Sequence, residues 1–142
     1  MLNEADEIRA IVEARNQAVQ AKHLQTLMAH VSPSVLSYDV VNPLEYQGAA
    51  AVRARAQEWF ASFAGSITLE VRDLRIAANT NVAHCSCLNR ICGTLTEGGA
   101  VDMWVRSTLC FVKEDGGWLI THQHTSVPFD AATGKAALDL KP

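Results

Sequence analysis

The sequence has no run approaching the roughly 18 continuous apolar residues that a membrane-spanning helix needs. It has no basic surplus either: 12 Lys and Arg stand against 15 Asp and Glu, a formal net charge of -3. Nucleic-acid-binding domains and polybasic membrane anchors depend on excess positive charge. The expected partners therefore include no nucleic acid and no membrane. Neither Cys-x-x-Cys nor His-Glu-x-x-His spacing occurs, and there is no internal repeat, low-complexity stretch or linker. The first residues, Met1-Leu2-Asn3-Glu4-Ala5-Asp6-Glu7, are acidic, whereas a secretory signal opens with basic residues followed by an apolar stretch. A cytoplasmic location is expected, with Cys85, Cys87, Cys92 and Cys110 reduced and acting as small buried hydrophobes.

What is present is one domain over residues 1–142. Apolar residues make up 49% and charged residues 19%. A chain near this size buries about 70% of its unfolded surface, enough for a core without covalent staples. The first half has helical spacing. Asn3 can cap a helix reaching about Lys22, with Glu4, Asp6 and Glu7 favourably placed in its first turn. Ile8, Ile11, Val12, Arg15, Ala18 and Val19 then form one stripe. A second, short helix over His23–His30 turns Leu24, Leu27 and Met28 inward, and Pro33 is expected to end it. Val35–Val40 has strand character. Val52, Ala56, Trp59, Phe60 and Phe63 predict a third helix, closed by Gly65.

From Ser66 the period changes to two. Ile67, Leu69 and Val71 alternate with polar residues, and strands are expected over Val82–Leu95, Val101–Val112 and Trp118–Val127. Asn79-Thr80-Asn81, Gly98-Gly99 and Asp115-Gly116 separate them as hairpin turns. The fold class is α+β: a curved antiparallel sheet of four to six strands carries three helices over its concave face. Such a sheet leaves a pocket at its wide end.

Chemistry concentrates in two places. Strict alternation puts Trp118, Ile120, His122, His124 and Ser126 on one face of the last strand. If that face is concave, two imidazoles and a hydroxyl line the pocket; otherwise the histidines bond neighbours or meet another subunit. Histidines two apart on a strand also suit a metal, with His84, Cys85 and Cys87 as further ligands by type alone. Asp39 lies in an apolar strand before a loop containing Pro43. Desolvation penalises the charged form of a carboxylate, and a carboxyl group so placed can move protons near neutral pH. On the third strand Asp102, Trp104, Arg106 and Thr108 oppose Met103, Val105, Ser107 and Leu109, and pattern does not decide which set faces inward.

Four segments carry a family resemblance. They are Leu24–His30 at a helix end; Ser37-Tyr38-Asp39 followed by Asn42-Pro43 and Gly48; Arg106-Ser107-Thr108; and Asp115–Pro128. In order and spacing the chain resembles the nuclear transport factor 2-like superfamily, especially SnoaL-like and ketosteroid isomerase-like proteins. Its last segment is also similar to the end of the association domain of calcium/calmodulin-dependent protein kinase II. The resemblance implies a cone with an apolar pocket, and a homodimer through the outer sheet face. It implies general-base candidacy for Asp39, since ketosteroid isomerase carries an aspartate base in the matching segment. That enzyme's oxyanion donors, a tyrosine and a protonated aspartate, align with Asn16 and Ser107. Both can donate a hydrogen bond, but neither is as acidic, which argues against efficient steroid isomerisation.

The expected function is a cofactor-independent isomerase, cyclase or hydratase/dehydratase acting on a small, apolar or partly oxygenated carbonyl compound. Asp39 takes the proton, and His122 or His124 relays it. Asn16, Ser107 and Ser126 orient the oxygen; Tyr38, Trp59 and Phe60 form apolar walls. The alternatives are a non-catalytic ligand-binding or oligomerisation module, and a metal-dependent activity through His122 and His124.

Overall fold

The structure, a computed structural model, describes residues 2–142. Helix α1 spans Glu4–Ala21, α2 Leu24–Met28 and α3 Ala49–Ala61. The strands are β1 Val31–Tyr38, β2 Tyr46–Gln47, β3 Phe63–Ala78, β4 Val82–Leu95, β5 Ala100–Glu114 and β6 Gly117–Ser126.

The start of α1 is closed by a reciprocal pair of hydrogen bonds. The Asn3 side chain accepts from the Asp6 backbone N–H at 2.8 Å, and the Asp6 carboxylate accepts from Asn3 N–H at 3.4 Å. Two of the helix's orphan donors are thereby satisfied. Lys22 ends the helix in the left-handed region, φ 56°. The stripe of α1 buries Ile8, Ile11, Val12, Ala18 and Val19. Each fully buried aliphatic side chain of this size is worth about 1.5–3 kcal/mol, so the helix is held by packing more than by propensity.

Two helix ends differ from expectation. Helix α2 stops at Met28, and Pro33 lies inside β1 instead of terminating a helix. Between Val31 and Leu36 the pairing of β1 with β6 loses register, and a bulge is where a strand tolerates a residue with no N–H. Helix α3 ends at Ser62, whose hydroxyl donates to Trp59 O at 2.6 Å. Gly65, at φ 77°, instead lets β3 shift register between Ala64 and Thr68.

The six strands form one sheet in the order β2-β1-β6-β5-β4-β3. The β5–β6 hairpin closes on Asp115 and Gly116, both at positive φ (50° and 79°), the signature of a two-residue turn matched to strand twist. Each neighbouring pair is antiparallel except β1 with β6, which run parallel. Turn signals could not reveal that pairing, because no hairpin joins these strands. Register shifts in β3, β1 and β6 add bend to strands as long as 16 residues, and the sheet curls around α1 without closing.

Two apolar clusters hold the roll. One joins α1 to β1, β5 and β6 through Ile8, Val35, Phe111, Trp118 and Ile120. The other joins the end of α1 to α2, α3 and β3 through Val19, Leu27, Phe60, Phe63 and Ile67. Members of both line a hollow under the curved sheet. No described helix is long and apolar enough to cross a membrane.

Candidate functional site

The hollow has a volume of about 590 Å³. Strand β5 presents Met103, Val105, Ser107 and Leu109 to it, so Asp102, Trp104, Arg106 and Thr108 lie on the convex face. Strand β4 presents Cys85, Cys87, Asn89 and Ile91. Leu69 and Phe63 come from β3, and Trp59 from α3, its ring edge-on to Phe63 at 5.8 Å. After β6 the chain comes back to the cavity: Val127, Ala136 and Leu138 line it, as do Val40 and Val41 after β1. This closing segment carries no periodic signal and is absent from the sequence-based candidates.

Strand β6 corrects the largest expectation. Phe111 pairs with Ile120 but Cys110 pairs with His122, which leaves Thr121 as an extra residue. A bulge of one residue reverses the in-and-out phase of everything beyond it. Trp118 and Ile120 point into the core, 3% and 0% exposed. Beyond the bulge it is Gln123, Thr125 and Val127 that line the cavity. His122, His124 and Ser126 are therefore on the convex side, outside the cavity. Ser126 accepts a hydrogen bond from Arg106 Nε at 3.1 Å. His122 Nδ1 lies 2.8 Å from Leu36 O; a carbonyl oxygen only accepts, so that nitrogen carries the hydrogen. Tyr38 contributes to the cavity wall, but its ring stands edge-on to His122 at 4.8 Å and His124 at 5.3 Å. Among the described residues no three His, Cys, Asp or Glu side chains come together as a metal site.

The other expected residues divide. Asn16, Trp59, Ser107 and Asp39 line the cavity. Phe60 does not; it is 6% exposed within the second core cluster. Asp39 follows β1 and is about a quarter exposed, at 23%. Its Oδ2 accepts from Arg55 Nε at 2.9 Å, and its Oδ1 from Val40 N–H at 2.7 Å. It is the one acidic residue among the cavity's lining. The arrangement is an oriented carboxylate in the lining of an apolar hollow whose wall also offers Asn16, Ser37, Ser107, Gln123 and Thr125 as hydrogen-bond donors.

Two cations were missing from the sequence-based site. Arg55 sits one helical turn beyond Val52 on α3. Arg15 lines the cavity from α1, and its Nη1 donates to Leu27 O at 2.7 Å. Burial pulls the Arg15 guanidinium down to about 10, partly offset by nearby Cys85, which leaves it charged at neutral pH. Its signal was visible as a guanidinium within an otherwise apolar stripe. Burial likewise pushes the Cys85 thiol up to about 12 and raises Cys87.

A family model described as the SnoaL-like domain matches residues 8–130. No curated protein matches the chain. A nuclear transport factor 2-like protein of unknown function from Pseudomonas putida has 27% identity over 97% of this chain and 96% of its own, with a TM-score of 0.89. A candidate dehydratase of the same superfamily from Streptomyces avermitilis has 18% identity over 85% of this chain and 93% of its own, with a TM-score of 0.74. A candidate scytalone dehydratase from Novosphingobium aromaticivorans has 15% identity over 98% and 95%, with a TM-score of 0.78. At those identities the last two speak for the fold alone.

Proposed function

The chain belongs to the SnoaL-like domain family, and from that premise we propose that it is a cofactor-independent enzyme that moves a proton α to a carbonyl of a small, largely apolar compound. The reaction class is isomerisation, aldol-type cyclisation or dehydration. Asp39 is the general base. The observation that carries this reading is that Asp39 is the sole acid on the cavity wall and is held in one orientation by Arg55. No histidine lines the cavity, so Asp39 itself returns the proton to a second carbon or to a leaving oxygen. Ser107 on β5 and Asn16 on α1 are the donors for the developing oxyanion. Candidate dehydratases of similar fold from Streptomyces avermitilis and Novosphingobium aromaticivorans are consistent with that class.

The test is catalysed deuterium uptake α to the carbonyl of 2-tetralone in D₂O, followed by NMR. General-base catalysis contributes about 10²–10⁴-fold, so Asp39→Asn should lower the catalysed rate by that factor at unchanged folding. Full retention in a folded Asp39→Asn protein removes the base. It would leave the cavity as the site of a non-catalytic binding protein.

The same reading includes a homodimer through the convex sheet face. On β5, Leu109 lines the cavity and Phe111 is core, while Trp104 lies on the convex face. Sedimentation that finds only monomer at micromolar concentration would overturn it.

A further inference from the structure

The cavity wall holds two guanidinium groups, Arg15 and Arg55, against one carboxylate, Asp39. Arg55 and Asp39 pair with each other. Arg15 is left over: among the described residues it makes no ion pair, and its one hydrogen bond is Nη1 to Leu27 O. No described side-chain nitrogen or oxygen that is sealed from solvent lacks a partner. The Nε and Nη2 groups of Arg15 have no partner, so they are not sealed, and Arg15 is part of the cavity's lining.

A tether role alone does not account for this. Any donor could hold Leu27 O, and the charge is not needed for it. Arg15 is half-buried at the wall of an apolar hollow, where an unpaired guanidinium keeps only part of its hydration, and one carbonyl bond offsets a small part of that loss. A second oxyanion would repay it. The free Nε–Nη2 edge is the one that meets a planar carboxylate with two parallel hydrogen bonds. Val12 and Val19 flank Arg15 on the same face of α1, Leu27 lies against it, and most of the remaining lining is apolar, so the rest of the ligand is apolar.

We infer that Arg15 anchors a carboxylate, and that the natural ligand of this cavity is a compact apolar carboxylic acid held by that group from the α1 side. The inference deepens the proposed proton-transfer function: it names the substrate as a keto acid or similar oxygenated acid. It concerns binding, however, and stands or falls apart from Asp39.

The test is calorimetric titration with 2-naphthoate and its neutral isostere 2-naphthamide. The wild-type protein should bind the carboxylate at least tenfold more tightly than the amide. Arg15→Met, which keeps the stem and removes the charge, should abolish that preference while amide binding stays within a factor of two. Arg15→Lys should keep part of it, and serves if the methionine variant does not fold. Asp39→Asn should keep the preference or raise it, because it removes the cavity's one negative charge and frees Arg55. Equal binding of the two probes by the wild-type protein overturns the anchor. So does a preference that survives in Arg15→Met or Arg15→Lys undiminished, or binding of neither probe at millimolar concentration. A preference that depends on Arg15, together with deuterium uptake that ignores Asp39, overturns only the catalytic reading.

Discussion

Arg55 Nε donates to Asp39 Oδ2 at 2.9 Å, joining α3 to the end of β1 at the rim of the cavity. Val40 N–H holds the other oxygen at 2.7 Å, so the carboxylate plane is fixed from two sides. A base works only when its lone pair already points at the proton, and a misplacement of about 1 Å can cost about 100-fold in rate. Arg55→Gln should therefore lower catalysed α-deuteration of 2-tetralone about 10- to 100-fold, less than Asp39→Asn. Both partners keep some solvent contact, and such pairs contribute at most about 1 kcal/mol to stability. Thermal melting of Arg55→Gln should shift little. A large melting shift with a proportionate loss of rate would show that the pair supports the fold and not the base.

The convex position of His122 gives a prediction opposite to that of a pocket residue. His122 ties β6 to β1 through Leu36 O and packs against the Tyr38 ring. A net hydrogen bond is worth about 0.5–1.5 kcal/mol, and an aromatic edge contact about as much again. His122→Ala should lower unfolding free energy by about 1–3 kcal/mol in urea titration. Affinity for 2-naphthoate and the deuteration rate should change less than about twofold. Unchanged stability combined with lost deuteration would bring the imidazole back into the reaction.

The limits of sequence reasoning show in these residues. The capping of α1 by Asn3, the inward stripe of Ile8 to Val19 and the turn at Asp115-Gly116 were legible because local chemistry dictates them. The β4 bounds, Val82–Leu95, followed from alternation and flanking turns. The face of His122 was not legible. Thr121 fits any strand position, and nothing local marks it as the residue that breaks the period. The bulge is set by what lies beside β6, where β1 also loses register near Pro33. Asp39 could be singled out because a lone acid in an apolar strand is conspicuous. Its partner Arg55 is distant in sequence, and only packing of α3 over β1 brings them together. Arg15 was in view on the α1 stripe. Its meaning required knowing that no acid reaches it.

Gly93 has its own constraint. A Cβ built there would stand 2.6 Å from Phe63 Cδ1 and 2.8 Å from Cε1. Phe63 is 4% exposed and packs against Trp59, so its ring has little room to retreat except into the cavity. Overpacking of this kind costs about 1–3 kcal/mol. Gly93→Ala should lose stability in that range and weaken 2-naphthamide binding, because the displaced ring takes up cavity volume. A substitution tolerated without change in either measurement would show that β3 and β4 separate easily at this point.

Cys85 sets an alkaline limit. It is 2% exposed, and burial, with Cys87 close by, pushes its thiol up to about 12. An unfolded chain loses that proton near pH 8.5–9, as a free cysteine does, at about pH 8.5. Between that pH and 12 the unfolded state binds fewer protons than the folded state, so stability falls as pH rises. Below pH 8.5 this thiol makes no contribution to pH dependence. Cys85→Ser removes a group with that titration, and the slope of unfolding free energy between pH 9 and 11 should flatten relative to the wild-type protein. The raised value also leaves about a thousandfold less thiolate at pH 8 than in a free cysteine, and thiolate is the reactive form. Iodoacetamide at pH 8, followed by peptide mass spectrometry, should leave Cys85 unmodified in the native state and label it in urea. Labelling of native Cys85 at the rate seen in urea would mean that burial does not hold the proton on this thiol.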